Sequence, residues 1–264
     1  MVMPRASCCT LAGLAVCLAI MPKNSRAAEK QTVHVFERTV TRTLGYKYLL
    51  ALPDGYAADR ARRWPLLVFL HGSGERGDDV WTIALHGPPK ILQARAPADA
   101  AAALAQNFIV VSPQCPKNEW WDPDAVLALI DETIAHQRVD LRRVYLTGLS
   151  MGGFATWDLG LGHPERFAAI APVCGGGSFA PAFMSNTHRR ADLRSLGVWA
   201  FHGAKDDAVP VAESERMIAR LKEYKVRDVQ LTVYPEAQHD SWTESYANPE
   251  LYAWLLRHVR PANK

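Results

Sequence analysis

A serine held between two glycines directly behind an apolar run is the most restrictive element of this chain: Gly148-Leu149-Ser150-Met151-Gly152 comes directly after Val144 to Leu146. The pattern reads as a nucleophile elbow, in which a strand turns so sharply into a helix that the serine hydroxyl is exposed on a strained backbone. Gly148 and Gly152 sit where a Cβ would meet the neighbouring strand and helix, and Gly153 extends that tolerance of close packing. The alternative reading is an ordinary strand-to-helix turn. Residues farther along the chain decide between the two.

A serine hydroxyl is a weak nucleophile at neutral pH, so acyl chemistry needs a histidine base and a carboxylate to orient it. On a strand-to-helix elbow of this kind the order is Ser, then Asp or Glu, then His, each on a loop after a late strand. The run Val198 to Phe201 reads as a buried strand and empties into His202-Gly203-Ala204-Lys205-Asp206-Asp207, which places Asp206 at a strand's carboxyl end. The next alternating run, Val229 to Tyr234, leads to His239 on its loop, within reach of Ser150 and Asp206. Asp207 and Glu236 remain alternative orienters. An acidic pair in a loop also reads as a solvated turn. His71 and His202 both precede Gly at strand ends and are expected to bond backbone; His163 closes the helix after the elbow; His86, His188 and His258 have no strand-end setting.

A tetrahedral oxyanion calls for two backbone N–H donors. One is expected from Met151, directly after Ser150, and the other from the loop after the strand Leu66 to Leu70, where Ser73 is the first choice and Gly74 the next. That loop spells Gly72-x-Gly74-x-x-Gly77, formally a dinucleotide fingerprint. Pro88 and Pro89 interrupt the helix such a site requires, and the next strand, Phe108 to Val111, ends in Ser112-Pro113 instead of an acidic residue, so cofactor binding is set aside.

Taken together, Leu70-His71-Gly72-Ser73-Gly74-Glu75-Arg76-Gly77, His86-Gly87-Pro88-Pro89-Lys90, Gly148 to Gly153, His202-Gly203-x-x-Asp206-x-x-Val209-Pro210 and His239-Asp240-Ser241-Trp242 resemble the α/β-hydrolase superfamily. The similarity is to its secreted esterase branch often labelled "predicted peptidase", related to dienelactone hydrolases, polyhydroxybutyrate depolymerases and feruloyl or acetylxylan esterases. It covers about residues 31 to 260. It implies an α/β fold, with a mostly parallel central sheet of about eight strands, helices on both faces and little or no lid. It also implies Ser150 as nucleophile, Asp206 as acid and His239 as base, the assignment already reached from order and setting.

Near-half apolar content and this length suit one large core, with residues 28–264 as a single catalytic domain. Ahead of it, Arg5 precedes an apolar stretch from about Cys8 to Met21, and Ser25-Arg26-Ala27 offers small residues for a signal peptidase. Residues 1–27 are therefore expected to be removed and the protein to be secreted or periplasmic, an uncleaved anchor being the competing reading. Arg5, Lys23 and Arg26 account for the formal excess of +3, so no basic field remains to suggest nucleic acid or an anionic membrane as partner. Of the five cysteines, Cys115 and Cys174 stay. In the usual strand order their strands are about 14 Å apart, beyond the roughly 7 Å between Cα atoms that a disulfide allows, and free thiols are expected.

Strands alternate with helices along the rest. Val33 to Val40 and Tyr46 to Leu52 read as an antiparallel opening pair. Asp122 to Gln137 is a helix, with Val126, Leu129, Ile130, Thr133 and Ile134 as its apolar stripe; Val211 to Tyr224 and Pro249 to His258 are two more. The connection from Val173 to Val198 is too short for a large helical cap, so the site should be open and suited to a polymer or bulky ester. Trp120-Trp121 lies on a strand-end loop facing it, with Trp121 expected as a substrate wall.

The expected activity is a serine carboxylic-ester hydrolase, with acetyl or feruloyl esters of plant polysaccharide as the expected substrates. The mechanism needs no metal or organic cofactor, and no zinc-type His/Cys spacing is present. A serine peptidase and a catalytically silent binding scaffold are the alternatives. Because the base must be neutral, activity should rise with pH across about 6 to 7.5.

Overall fold

All seven residues of the strand Trp64–Leu70 are buried, a pattern that only a central strand covered on both faces permits. The computed structural model describes residues 32–184 and 187–261, and the reading of residues 1–27 as a removable signal lies outside them. The strands are β1 (Lys47–Ala51), β2 (Trp64–Leu70), β3 (Ile109–Gln114), β4 (Val139–Leu149), β5 (Ala169–Val173), β6 (Gly197–Gly203) and β7 (Asp228–Tyr234). The helices are α1 (Gly87–Ala94), α2 (Ala98–Asn107), α3 (Pro123–His136), α4 (Met151–Gly162), α5 (Ala180–Met184), α6 (Thr187–Ser195), α7 (Ala212–Glu223), α8 (Trp242–Ala247) and α9 (Pro249–Arg257).

The strands form one sheet in the order β1-β3-β2-β4-β5-β6-β7. Every pairing is parallel except β1 with β3, where Leu49 faces Ser112. Alternate residues of β2 serve two cores: Leu66, Val68 and Leu70 pack with residues of α3, α4 and α7, whereas Leu67 and Phe69 pack with α1, α2 and α9. This is the period-two consequence of the strand backbone. Helix α4 is apolar nearly all round and buried along nine of its residues, as a helix directly behind the sheet must be.

Two expectations are corrected. The sheet has seven strands among the described residues, not about eight, because residues 33–40 form no strand. Val33, Val35 and Phe36 are exposed, with no ladder for their extended backbone, and strand propensity alone does not build a strand without a partner. Lys47–Ala51 is a strand as expected, but its antiparallel partner is β3. The contacts of the chain divide it into a unit of residues 1–42 and one of residues 43–264, and every strand and helix named here belongs to the second.

Chain order reverses across the sheet between β2 and β4, with β3 on one side and β5 on the other. At such a switch point the loops leaving the carboxyl ends diverge and open a crevice. Leu70 and Gly148 are in register there, so the loop after β2 and the elbow after β4 begin side by side. Cys115 comes after β3 and Cys174 after β5, three positions away, and both thiols are free and buried, as the strand spacing requires. Burial pushes Cys115 up to about 11 and Cys174 well above the ordinary thiol range.

Candidate active site

Ser150 holds φ 51° and ψ −115°, a backbone state that costs a side-chain-bearing residue about 1–3 kcal/mol. The flanking glycines make the turn possible. A Cβ on Gly148 would stand 2.4 Å from the Gly152 carbonyl oxygen, and one on Gly152 would stand 1.9 Å from that of Leu70. The turn is held by the Ser150 N–H donating to the Val173 carbonyl at 3.0 Å, and by Phe154 N–H returning to the Ser150 carbonyl as α4 begins.

From this elbow a hydrogen-bonded series runs through the loops after β7 and β6. Ser150 Oγ lies 2.9 Å from His239 Nε2, and His239 Nδ1 lies 2.8 Å from Asp206 Oδ2. Asp206 is buried, and its other oxygen accepts the Ala208 and Val209 N–H groups at 3.0 and 2.8 Å. With Nδ1–H committed to the carboxylate, His239 presents Nε2 to the serine as an acceptor, the tautomer a general base requires. The alternative orienters fall away from the series: Asp207 is exposed, and Glu236 is exposed and paired with Lys205.

The loop after β2 closes over the elbow. A Cβ on Gly72 would come within 3.6 Å of the Ser150 Cβ, which places the start of this loop beside the serine. The Ser73 and Met151 amides have no protein acceptor among the described residues, leaving two N–H donors flanking the serine. His71 anchors the loop from below, fully buried. Its Nδ1–H donates to the Gly72 carbonyl at 2.6 Å and its Nε2 accepts the Cys115 N–H at 2.9 Å. Only the neutral ring can make both bonds.

Burial accordingly pushes His71 down to about 4, against the Gly72 bond, which favours the cation. Unfolded, the ring would take a proton near 6.5. Its contribution is therefore complete above that pH and is lost as pH falls from about 6.5 to 4, amounting to about 3 kcal/mol. Urea unfolding at pH 7 and pH 4.5 should show this loss, and His71→Gln, which cannot titrate, should show a smaller difference between the two pH values. An unchanged difference would mean that other groups carry the acid sensitivity.

Trp121 is a correction. The sequence reading makes it a substrate wall, but it is 3% exposed, its Nε1–H donates to the His71 carbonyl at 3.2 Å, and its ring packs on His71 and Tyr46. Its neighbour Trp120 is 55% exposed and meets Phe154 of α4 edge-on at 6.2 Å. Arg76 ties this rim to the β2 loop, donating to the carbonyls of both Ser73 and Glu119.

On the other side the Trp242 ring stands edge-on to His239 at 5.4 Å, and its Nε1–H donates to His86 Nδ1 at 3.3 Å. A cleft of about 130 Å³, bounded by His86, Lys90, Trp242 and Tyr246, adjoins His239 through that ring. His86 Nε2 lies 3.6 Å from the buried Glu75 carboxylate. Sequence reasoning passes over His86 and Trp242 because neither stands at a strand end; only the adjacency of Trp242 to His239 signals them.

A family model described as phospholipase/carboxylesterase matches residues 124–249, the stretch from α3 through the elbow and both later loops. Among solved structures, a thermostable esterase superposes with a TM-score of 0.66 at 30% identity, covering 81% of this chain and 59% of that one. The chain has the α/β-hydrolase fold. Other relatives of this chain include poly(3-hydroxyalkanoate) depolymerase C of Paucimonas lemoignei, 30% identical over 42% of this chain and 31% of that protein. The bifunctional acetylxylan esterase/xylanase of Neocallimastix patriciarum is 26% identical over 72% of this chain and 26% of its own. The chain thus spans about a third or less of the length of these two curated relatives. Among its described residues no group of His, Cys, Asp and Glu is placed to hold a metal ion, and no helix is long and apolar enough to cross a membrane.

Proposed function

We propose that this α/β-hydrolase cleaves carboxylic esters through a serine acyl-enzyme, with Ser150 as nucleophile, His239 as base and Asp206 as its orienter. The observation that carries this reading is the unbroken Ser150–His239–Asp206 series, at 2.9 and 2.8 Å, on a strained elbow. His239 Nε2 takes the hydroxyl proton as Oγ attacks the ester carbonyl. Asp206 stabilises the imidazolium, and the Met151 and Ser73 N–H groups receive the oxyanion. The proton then passes to the leaving alkoxide, and water, activated by the same imidazole, releases the acid. The base is a side chain and the oxyanion's donors are backbone N–H groups, so the route calls on no metal or organic cofactor.

The substrate is proposed to be an acetyl or feruloyl ester of a polysaccharide. Support comes from the exposed Trp120 beside Phe154, a flat face on which a sugar or aromatic acyl group can stack, and from the acetylxylan-active relative. Export, with residues 1–27 as its signal, fits a polymeric substrate outside the cell.

Initial rates on p-nitrophenyl acetate, methyl ferulate and a peptide panel test the activity and its class together. Ester turnover is expected, and amide cleavage without it would point to a peptidase. In the same assay Trp120→Ala should raise KM for methyl ferulate about tenfold, the 1–1.5 kcal/mol of an aromatic contact, and leave the acetate rate unchanged. Trp121→Ala should instead lower stability by about 3–5 kcal/mol, the cost of emptying a buried indole site. A ferulate KM unmoved by Trp120→Ala would remove the wall.

A further inference from the structure

We propose that His202 is a positioning residue, an imidazole that holds the Asp206 carboxylate in line for His239 and tempers its pull on that ring. The proposal rests on the reading of Ser150, His239 and Asp206 as the catalytic series. His202 lies near the end of β6 and is fully buried. Its Nε2 lies 2.8 Å from the Val209 carbonyl oxygen and 3.3 Å from Asp206 Oδ2. A carbonyl and a carboxylate only accept, so Nε2 carries the hydrogen and donates it to the Val209 carbonyl, while Asp206 Oδ2 lies close enough to feel the N–H dipole. The Nδ1 atom lies 2.7 Å from Ser214 Oγ, a hydroxyl that is also 3.2 Å from the Gly175 carbonyl. Nδ1 meets the Ser214 hydroxyl, which also bonds the Gly175 carbonyl, and so helix α7 sets the plane of the imidazole.

Two imidazoles thus converge on one carboxylate oxygen, His239 at 2.8 Å and His202 at 3.3 Å, while two amides occupy the other. Val209 is held at both ends, its N–H by Asp206 and its carbonyl by His202. The rotamer of Asp206 and the turn that carries it therefore depend on a ring outside the Ser-His-Asp series. There is also an electrostatic consequence. An N–H dipole 3.3 Å from Oδ2 offsets part of the negative charge that would otherwise stabilise protonated His239, so loss of that ring should favour the imidazolium and move the base's titration upward.

The other groups facing this cluster are Asp240 on the loop of His239, Cys174 after β5, Asp207 on the loop of Asp206, the Lys205–Glu236 pair, and Glu213 of α7 paired with Arg216. None of them is altered by a change at position 202.

The test uses the full chain and the pH dependence of kcat/KM on p-nitrophenyl acetate in wild type, His202→Leu, His202→Gln and Ser214→Ala, with Ser150→Ala as the blank. His202→Leu should lose about 10²-fold, as small misplacements of catalytic groups do, and its profile midpoint should rise by about 0.5 pH. His202→Gln, which keeps an N–H donor, should recover most of both. Ser214→Ala, which frees only the Nδ1 side, should shift the midpoint in the same direction by less, and it decides the question where His202→Leu does not fold. A folded His202→Leu that is slower with an unmoved midpoint, or Gln and Leu behaving alike, would reduce His202 to packing. Absence of wild-type turnover would overturn the triad reading instead; the His239 ring titration, measured by NMR in the same variants, then still decides the role of His202.

Discussion

Ser150→Gly is expected to abolish turnover and stabilise the fold at once. Removing the proposed nucleophile should lower kcat at least about 10⁴-fold, leaving what binding and the oxyanion donors supply. The same change releases the strain of φ 51° and ψ −115°, a region glycine enters freely. Against a relief of about 1–3 kcal/mol stands the extra freedom glycine gives the unfolded chain, about 0.5–1 kcal/mol. A net gain of about 1 kcal/mol should raise Tm by about 2–4 °C. Ser150→Ala is the companion variant, equally inactive but without the gain. Thermal melts of the two beside wild type, with rates on the same ester, decide the matter: equal Tm values would mean the elbow stores no strain, and turnover near the wild-type rate in both would mean Ser150 is not the nucleophile.

The second large effect is structural. Gly152→Ala should cost more than about 3 kcal/mol, at the severe end of overpacking. The added Cβ would stand 1.9 Å from the Leu70 carbonyl oxygen and 2.7 Å from that of His71. Both obstacles are main chain at the end of a fully buried strand, so neither can swing aside, and α4 would have to lift off the sheet. Gly74→Ala is the control. A Cβ there meets nothing within 4 Å, and stability should stay within about 0.5 kcal/mol. Urea unfolding of both, with soluble yield as the first indication for Gly152→Ala, separates a steric requirement from the general cost of replacing glycine. Equal stabilities would show that the helix can move.

That contrast explains what the sequence could and could not disclose. The elbow is legible because its demand is local: no residue larger than glycine passes between α4 and the end of β2, so Gly148 and Gly152 announce the turn themselves. Asp206 and His239 are legible because strand ends are recognisable and the order of the three groups is set by the sheet. Their meeting at hydrogen-bond distance then results from β5, β6 and β7 lying side by side.

What stayed hidden depends on partners remote in sequence. Consecutive tryptophans must point in different directions, but it is Tyr46 and the His71 carbonyl that make Trp121 the inward one. Residues 33–40 have strand-forming side chains and no ladder to join. His202 was legible only as a backbone-bonding histidine, which it is; its closeness to Asp206 becomes visible once the turn through Val209 brings the carboxylate back to the ring.

In the proposed mechanism the loop that leaves β2 offers the reacting centre its main chain, not its side chains. An alanine scan across it would therefore be misleading. Replacing Ser73 by alanine keeps the N–H and should look silent, whereas changes at His71 or Arg76, which touch no reacting atom, should look severe through the loop they support. A map drawn from side-chain deletions would assign the loop's importance to its scaffolding and miss the donor itself. Only chemistry that edits the amide, such as an ester linkage in place of the 72–73 peptide bond, would register it.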